Sequence, residues 1–181
     1  MKAKFILNQT HPTWEFDLTK FDHYSEILKE MRELEIVDYV YSFVFNGVIV
    51  KHGYSAPEES TAPPGERIYR QSGNLDGWSR KLRGPSGKDM ADIDQEYFNQ
   101  TGNHLNRNGM TIIVRDMTGM PSPSITDSKW HVKQLERKLI KDHIDQFGKK
   151  PIGNIKDESY VDNKPFISGS QWHSLFEVEN A

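Results

Sequence analysis

The sequence predicts an α+β domain: a small three-stranded mixed or antiparallel sheet with flanking helices, preceded by an N-terminal strand–helix extension. Three observations lead there. Asp38 to Ser55 holds two runs of β-branched and aromatic residues on either side of Asn46-Gly47, the strongest short-range hairpin signal. Three segments carry apolar residues at helical spacing, and they are interleaved with strand-like runs rather than grouped apart. No internal repeat or low-complexity tract points to another architecture.

Residues 4 to 7, with Phe5, Ile6 and Leu7, predict a short strand, and Trp14 to Leu18 a second. Phe21 to Leu34 predicts a helix in which Tyr24, Ile27, Leu28, Met31 and Leu34 repeat on one face. The hairpin follows, then a Pro-rich polar loop from Ala56 to Glu66 and a basic segment from Arg67 to Lys88. Met90 to Gly102 predicts a helix closed by Gly102. Met110 to Met117 reads as a strand. Asp127 or Ser128 offers an N-cap for the longest helix, about Ser128 to Phe147, which Gly148 and Pro151 stop. The expected organisation is an extension (1–36) packed on a core (37–155), with a polar tail (156–181).

The chain has 181 residues, enough for a proper core; 35% are apolar and 27% charged, the balance of a soluble globular protein. No run approaches the roughly 18 to 20 apolar residues that span a bilayer, and the first apolar stretch is too short for a signal peptide. The two Asn-Gln-Thr sequons are therefore uninformative. The absence of cysteine excludes disulfides and thiolate-bound zinc and fits a cytoplasmic setting. A net charge of −3 argues against an all-over nucleic-acid coat but permits a local basic face. The segment with Arg67, Arg70, Arg80, Lys81, Arg83 and Lys88 is that face, and Tyr69 and Trp78 are interleaved with the cations. Arginine forks beside aromatic rings suit phosphates and stacked bases, against the plainer reading of a solvated surface.

One residue stands out on the long helix. At about 100° per residue, Val132, Leu135, Leu139, Ile140, Ile144 and Phe147 share a face, and Glu136 falls in its middle with His143 beside it. A carboxylate there is costly unless it is paired, hydrogen-bonded or bound to a metal. A structural glutamate satisfied by an Arg or Tyr is one reading; a metal ligand at a cleft edge is the other.

In order, these pieces resemble the GIY-YIG nuclease superfamily, over about Val37 to Asn154. Tyr39-Val40-Tyr41 stands where that family has Gly-Ile-Tyr, and Lys51-His52-Gly53 where it has Tyr-Ile-Gly. The first Gly is missing, and Lys replaces the second Tyr as in a restriction-endonuclease branch of the superfamily. The resemblance implies a divalent-metal-dependent endonuclease acting on double-stranded DNA, with Glu136 as the metal ligand and Asn154 as the trailing Asn. It implies magnesium, one ion per site and replaceable by manganese. Tyr41 would be the general base, Lys51 would favour its phenolate, and Gly53 would allow close approach to the strand end. Arg67 would steady the phosphate charge, with Arg70 and Tyr69 as alternates; Arg70, Trp78, Arg80, Lys81 and Arg83 would bind DNA. A palindromic site implies a homodimer, whereas a homing or nicking enzyme could act alone. The rival class is a non-catalytic DNA-binding or phage-type accessory protein. Glu136-Arg137-Lys138 also contains the Glu-x-Lys of another nuclease fold, but mid-helix rather than on a strand.

The hairpin carries an internal condition. A two-residue loop at Asn46-Gly47 pairs Phe45 with Val48 and sets Tyr41 across from His52, with Lys51 on the other face. A three-residue loop, Phe45-Asn46-Gly47, pairs Val44 with Val48 and brings Lys51 opposite Tyr41. The nuclease reading expects the second.

Overall fold

The structure, a computed structural model, describes residues 1–56, 90–120 and 130–154. In chain order these form strands β1 (Lys4–Ile6) and β2 (Thr13–Asp17), helix α1 (Tyr24–Glu33), strands β3 (Tyr39–Phe45) and β4 (Val48–Ser55), helix α2 (Met90–Thr101), strand β5 (Met110–Asp116) and helix α3 (Trp130–Phe147). The five strands make one sheet in the order β1-β2-β5-β3-β4, every neighbouring pair antiparallel.

The α+β class holds, but the sheet has five strands and not three. The two N-terminal strands pair into that same sheet. β2 pairs with β5 from Thr13↔Arg115 to Asp17↔Thr111, and β1 closes on β2. Without them, β5 would present a bare row of N–H and C=O groups, and an open edge of that kind invites unwanted pairing. The N-terminus is tied down further by Glu30, whose carboxylate accepts hydrogen bonds from the backbone N–H groups of Lys2 and Ala3.

Cross-strand partners share a face, so the register sorts the side chains. Phe16, Tyr39, Tyr41, Phe43, Phe45, Met110, Ile112 and Val114 lie on one face. They join Ile27 and Met31 of α1 and Ile93 of α2 in the main core. Val40 and Tyr54 lie on the other face, where Val132, Leu135 and Leu139 of α3 pack on them. β3 is central and covered on both sides, which explains its unbroken run of apolar and aromatic residues. α3 lies chiefly along β4, the outermost strand on this side.

The ends of the elements follow local chemistry. Asn46 (φ 46°) and Gly47 (φ 80°) form the two-residue primed turn that matches strand twist. Gly102 and Gly148 end α2 and α3 in the left-handed region, donating to the carbonyls of Phe98 and Ile144. Among the described residues no helix is long and apolar enough to cross a membrane.

Candidate functional site

The hairpin answers its condition by a route the sequence reading does not foresee. The loop has two residues, with Phe45↔Val48 and Val44↔Ile49 paired, so the three-residue loop is not formed. The ladder then breaks between Phe43 and Val44. It resumes as Phe43↔Lys51, Ser42↔His52, Tyr41↔Gly53, Val40↔Tyr54 and Tyr39↔Ser55, leaving Val50 as an extra residue in β4. A β-bulge shifts the register by one and reverses the faces of all that follows. Lys51 thereby arrives on the face of Tyr41, as its diagonal neighbour rather than its direct partner. Diagonal residues sit about 7–8 Å apart, within reach of long side chains.

Gly53 faces Tyr41 directly, and its lack of a side chain is used. A Cβ built on Gly53 would lie 2.4 Å from both Cζ and Oη of Tyr41. The distal end of the phenol ring therefore rests over the edge strand. Tyr41 is 1% exposed and stacks edge-on to Phe43 at 5.4 Å, while Lys51 is 8% exposed.

The edge of β4 is held by the turn after α3. The N–H of Gly153 donates to the carbonyl of Val50, the bulged residue, at 2.7 Å. Asn154 accepts from the His52 N–H through Oδ1 and donates to the His52 carbonyl through Nδ2, both at 2.9 Å. Its amide thus takes the place of a further strand. This occupies both polar ends of the Asn154 amide with the backbone of His52. His143 fixes the same turn from the helix, its Nδ1–H donating to the Lys149 carbonyl at 2.7 Å.

Between α3 and the sheet runs a polar chain that strand patterning alone does not reveal. Arg115 donates through Nη1 to Ser42 Oγ at 2.9 Å, and Ser42 Oγ lies 2.7 Å from Nδ1 of His52. Ser42 Oγ thus accepts from the guanidinium and shares a second hydrogen bond with Nδ1 of His52, whose direction follows the imidazole tautomer. Burial pushes the pKa of His52 down to about 3, and the charges of Arg115 and His143 act in the same direction. The pair has the atoms of a nucleophile–base dyad, both residues are 1% exposed, and the hydroxyl is tied to the guanidinium as well as to the imidazole. His11 lies further along the same region. Its pKa is lowered by burial first, then by Arg115 and His131, with Asp116 opposing. The available signal was the polar interruption at Ser42 in an otherwise apolar and aromatic strand; that His52 faces it follows from the bulge.

Glu136 is 8% exposed and stands on α3, the helix applied to the face opposite Tyr41. Tyr41, Lys51 and Asn154 meet at the Lys51–Gly53 stretch, whereas Glu136 belongs to the helix on the reverse face. Arg67, Tyr69, Arg70, Trp78, Arg80, Lys81 and Arg83 lie outside the described residues. Among the described residues no group of three or more His, Asp or Glu could hold a metal ion. A lone carboxylate still fits magnesium, which keeps several waters and takes substrate phosphate oxygens rather than needing an all-protein cage. No protein-family model, no curated protein and no solved structure matches this chain.

Proposed function

We propose that the chain is a divalent-metal-dependent DNA endonuclease of the GIY-YIG type, hydrolysing phosphodiester bonds at the outer edge of β4. One observation carries the reading: the bulge at Val50 brings Lys51 to the face of Tyr41, whose ring tip rests over Gly53. The Tyr, Lys and Gly of the two short motifs are thus neighbours on one surface of the hairpin.

Tyr41 takes the proton of the attacking water. A free phenol has a pKa of about 10 and is a poor base at neutral pH, and an adjacent ammonium from Lys51 favours the phenolate. Arg67, at the head of the basic segment, steadies the negative charge gathered on the phosphate. Glu136 holds the divalent ion, magnesium or in its place manganese, which when bound stabilises the leaving 3′ oxygen. Asn154 acts through the backbone, holding His52 so that Lys51 and Gly53 keep their places on either side. The substrate is double-stranded DNA, and restriction-type cutting of a palindrome calls for two copies about a two-fold axis. Tyr41 and Lys51 are shielded from bulk water, so the phosphate gains access by rearrangement at the β4 edge on binding.

A second reading rests on that same shielding, together with the position of Glu136 on the reverse-face helix: a DNA-binding module with no chemistry. Incubation of plasmid and phage DNA with magnesium separates the two. The nuclease reading expects discrete fragments from the native chain, and at least a hundredfold slower cutting by Tyr41→Phe, the order expected for loss of a general base. Glu136→Gln should be as slow. DNA that shifts in a gel but is never cut would leave the binding module.

A further inference from the structure

Once the turn is fixed at Asn46-Gly47, the hairpin can be laddered in two ways. An unbroken ladder sets Phe43 opposite Val50, Ser42 opposite Lys51 and Tyr41 opposite His52. The bulged ladder sets Ser42 opposite His52 and Tyr41 opposite Gly53. Between the two, every residue from Lys51 to Ser55 changes face. In the unbroken form Lys51 leaves the phenol and His52 takes its place.

Backbone directions differ as well. Antiparallel pairs alternate between those that exchange hydrogen bonds and those that do not. Counting outward from the hydrogen-bonded Phe45–Val48 pair, the unbroken ladder points the N–H and C=O of His52 inward, at β3. The bulged ladder points both outward, away from the sheet. Asn154 binds both of those groups, so its clamp exists only in the bulged register. The Val50 carbonyl, taken out of the ladder by the bulge, is likewise free to accept from Gly153. On the reverse face, Ser42 meets His52 at 2.7 Å only because the two are direct partners, and Arg115 closes the chain.

We infer that Ser42, His52, Arg115 and Asn154 are positioning residues that lock β4 in its bulged register and so hold Lys51 beside Tyr41. The lock is a statement about the hairpin; only its catalytic consequence rests on the nuclease reading. It works from both sides of one strand: a buried hydrogen-bonded chain fixes the His52 side chain, and an amide from a turn about a hundred residues later fixes its backbone. Neither touches the reacting atoms. The His52 ring stays neutral at physiological pH, so its hydrogen bond with the Ser42 hydroxyl is the same under working conditions.

The test uses the full chain with Ser42→Val, Ser42→Thr and Asn154→Ala. Valine and threonine have nearly the same shape and differ in the hydroxyl, and Asn154→Ala leaves the core intact should Ser42→Val fail to fold. Two quantities are read: cross-strand proton contacts by NMR, and the magnesium-dependent cleavage rate together with DNA affinity. The expected result is that Ser42→Val and Asn154→Ala lose the contact between position 42 and His52, with contact to Lys51 appearing instead. Cleavage slows at least tenfold at unchanged DNA affinity, and Ser42→Thr behaves as the native chain. Retention of the contact between position 42 and His52 in both variants would overturn the lock, whatever happens to the rate. A register that shifts as expected in a protein that never cuts DNA would uphold the lock and sink the nuclease reading instead.

Discussion

Acid should unfold this protein by a route that passes through His52. The ordinary histidine value is 6.5, and in the fold the pKa of His52 lies at about 3, chiefly because the ring is buried and secondarily because Arg115 and His143 are near. Above pH 6.5 the ring is neutral in both the folded and unfolded chain, and its titration costs nothing. Below that value the unfolded chain binds a proton that the fold refuses, so stability falls as pH drops. The slope is about 1.36 kcal/mol per pH unit for one proton. The loss from this residue alone is therefore about 2 kcal/mol at pH 5 and about 4 kcal/mol at pH 3, below which it levels off. His11, lowered for similar reasons, adds to the slope with the same sign. The lowered carboxylates, Asp17 among them, contribute only nearer pH 4, so the interval from 6.5 to 5 isolates the histidines. Urea denaturation at pH 7.5, 6.5, 5.75 and 5 measures the effect in the native chain and in His52→Asn. The asparagine amide can hydrogen-bond Ser42 in either direction, without a titrating group. The variant should lose close to one proton's worth of slope, about 2 kcal/mol of the change across the interval. A native chain with the same stability at pH 7.5 and 5, or a variant with an unchanged slope, would refute the assignment of a buried neutral imidazole.

Two other perturbations follow from the hairpin. Gly53→Ala puts a methyl group into the tip of the Tyr41 ring, which sits 2.4 Å from that position. Chemical denaturation should show a loss of about 1–3 kcal/mol, the usual cost of overpacking, with cleavage falling in parallel. Deletion of Val50 removes the bulge but keeps Ser42 opposite His52 and Tyr41 opposite Gly53 in an unbroken ladder. It should cost about 1.5–3 kcal/mol for the lost burial of a valine side chain, while cross-strand NMR contacts stay as they are in the native chain. Contacts shifted by one residue after the deletion would show that the extra residue is not what sets the register.

What could be read from the sequence was what local chemistry decides. The Asn46-Gly47 turn, the helices with their closing Gly102 and Gly148, and the strand from Met110 all stand where their spacing and end residues put them. What could not be read was set by partners far along the chain. The pairing of β2 with β5 joins residues about a hundred positions apart, and no local pattern distinguishes it from a separate extension. The bulge is the sharper case. Reasoning from loop length offered two registers and tied the placement of Lys51 to a longer turn. The turn is the short one, and the shift comes from Val50, whose carbonyl is captured by Gly153. Glu136 was legible as an oddity on an apolar stripe, and it is buried on α3 as that position implies. The sheet face that α3 would cover was not legible, because helical periodicity says which side is apolar and not what it is laid against.

This arrangement explains why an outermost strand holds Lys51, His52 and Gly53 in succession, an unlikely trio for a half-buried hairpin. Alternation sends the three to alternate faces, so each answers to a different environment. Gly53 must be small because the Tyr41 ring lies on it. His52 must be polar because it hydrogen-bonds the Ser42 hydroxyl on the α3 face, and its neutral form is the one that burial permits. Lys51 lies opposite Phe43 on the apolar side and is 8% exposed, a place where an ammonium must be partnered. A bulge with captors on both sides of the strand keeps this lysine on the face of Tyr41, which is the placement that the chemistry proposed at that tyrosine needs.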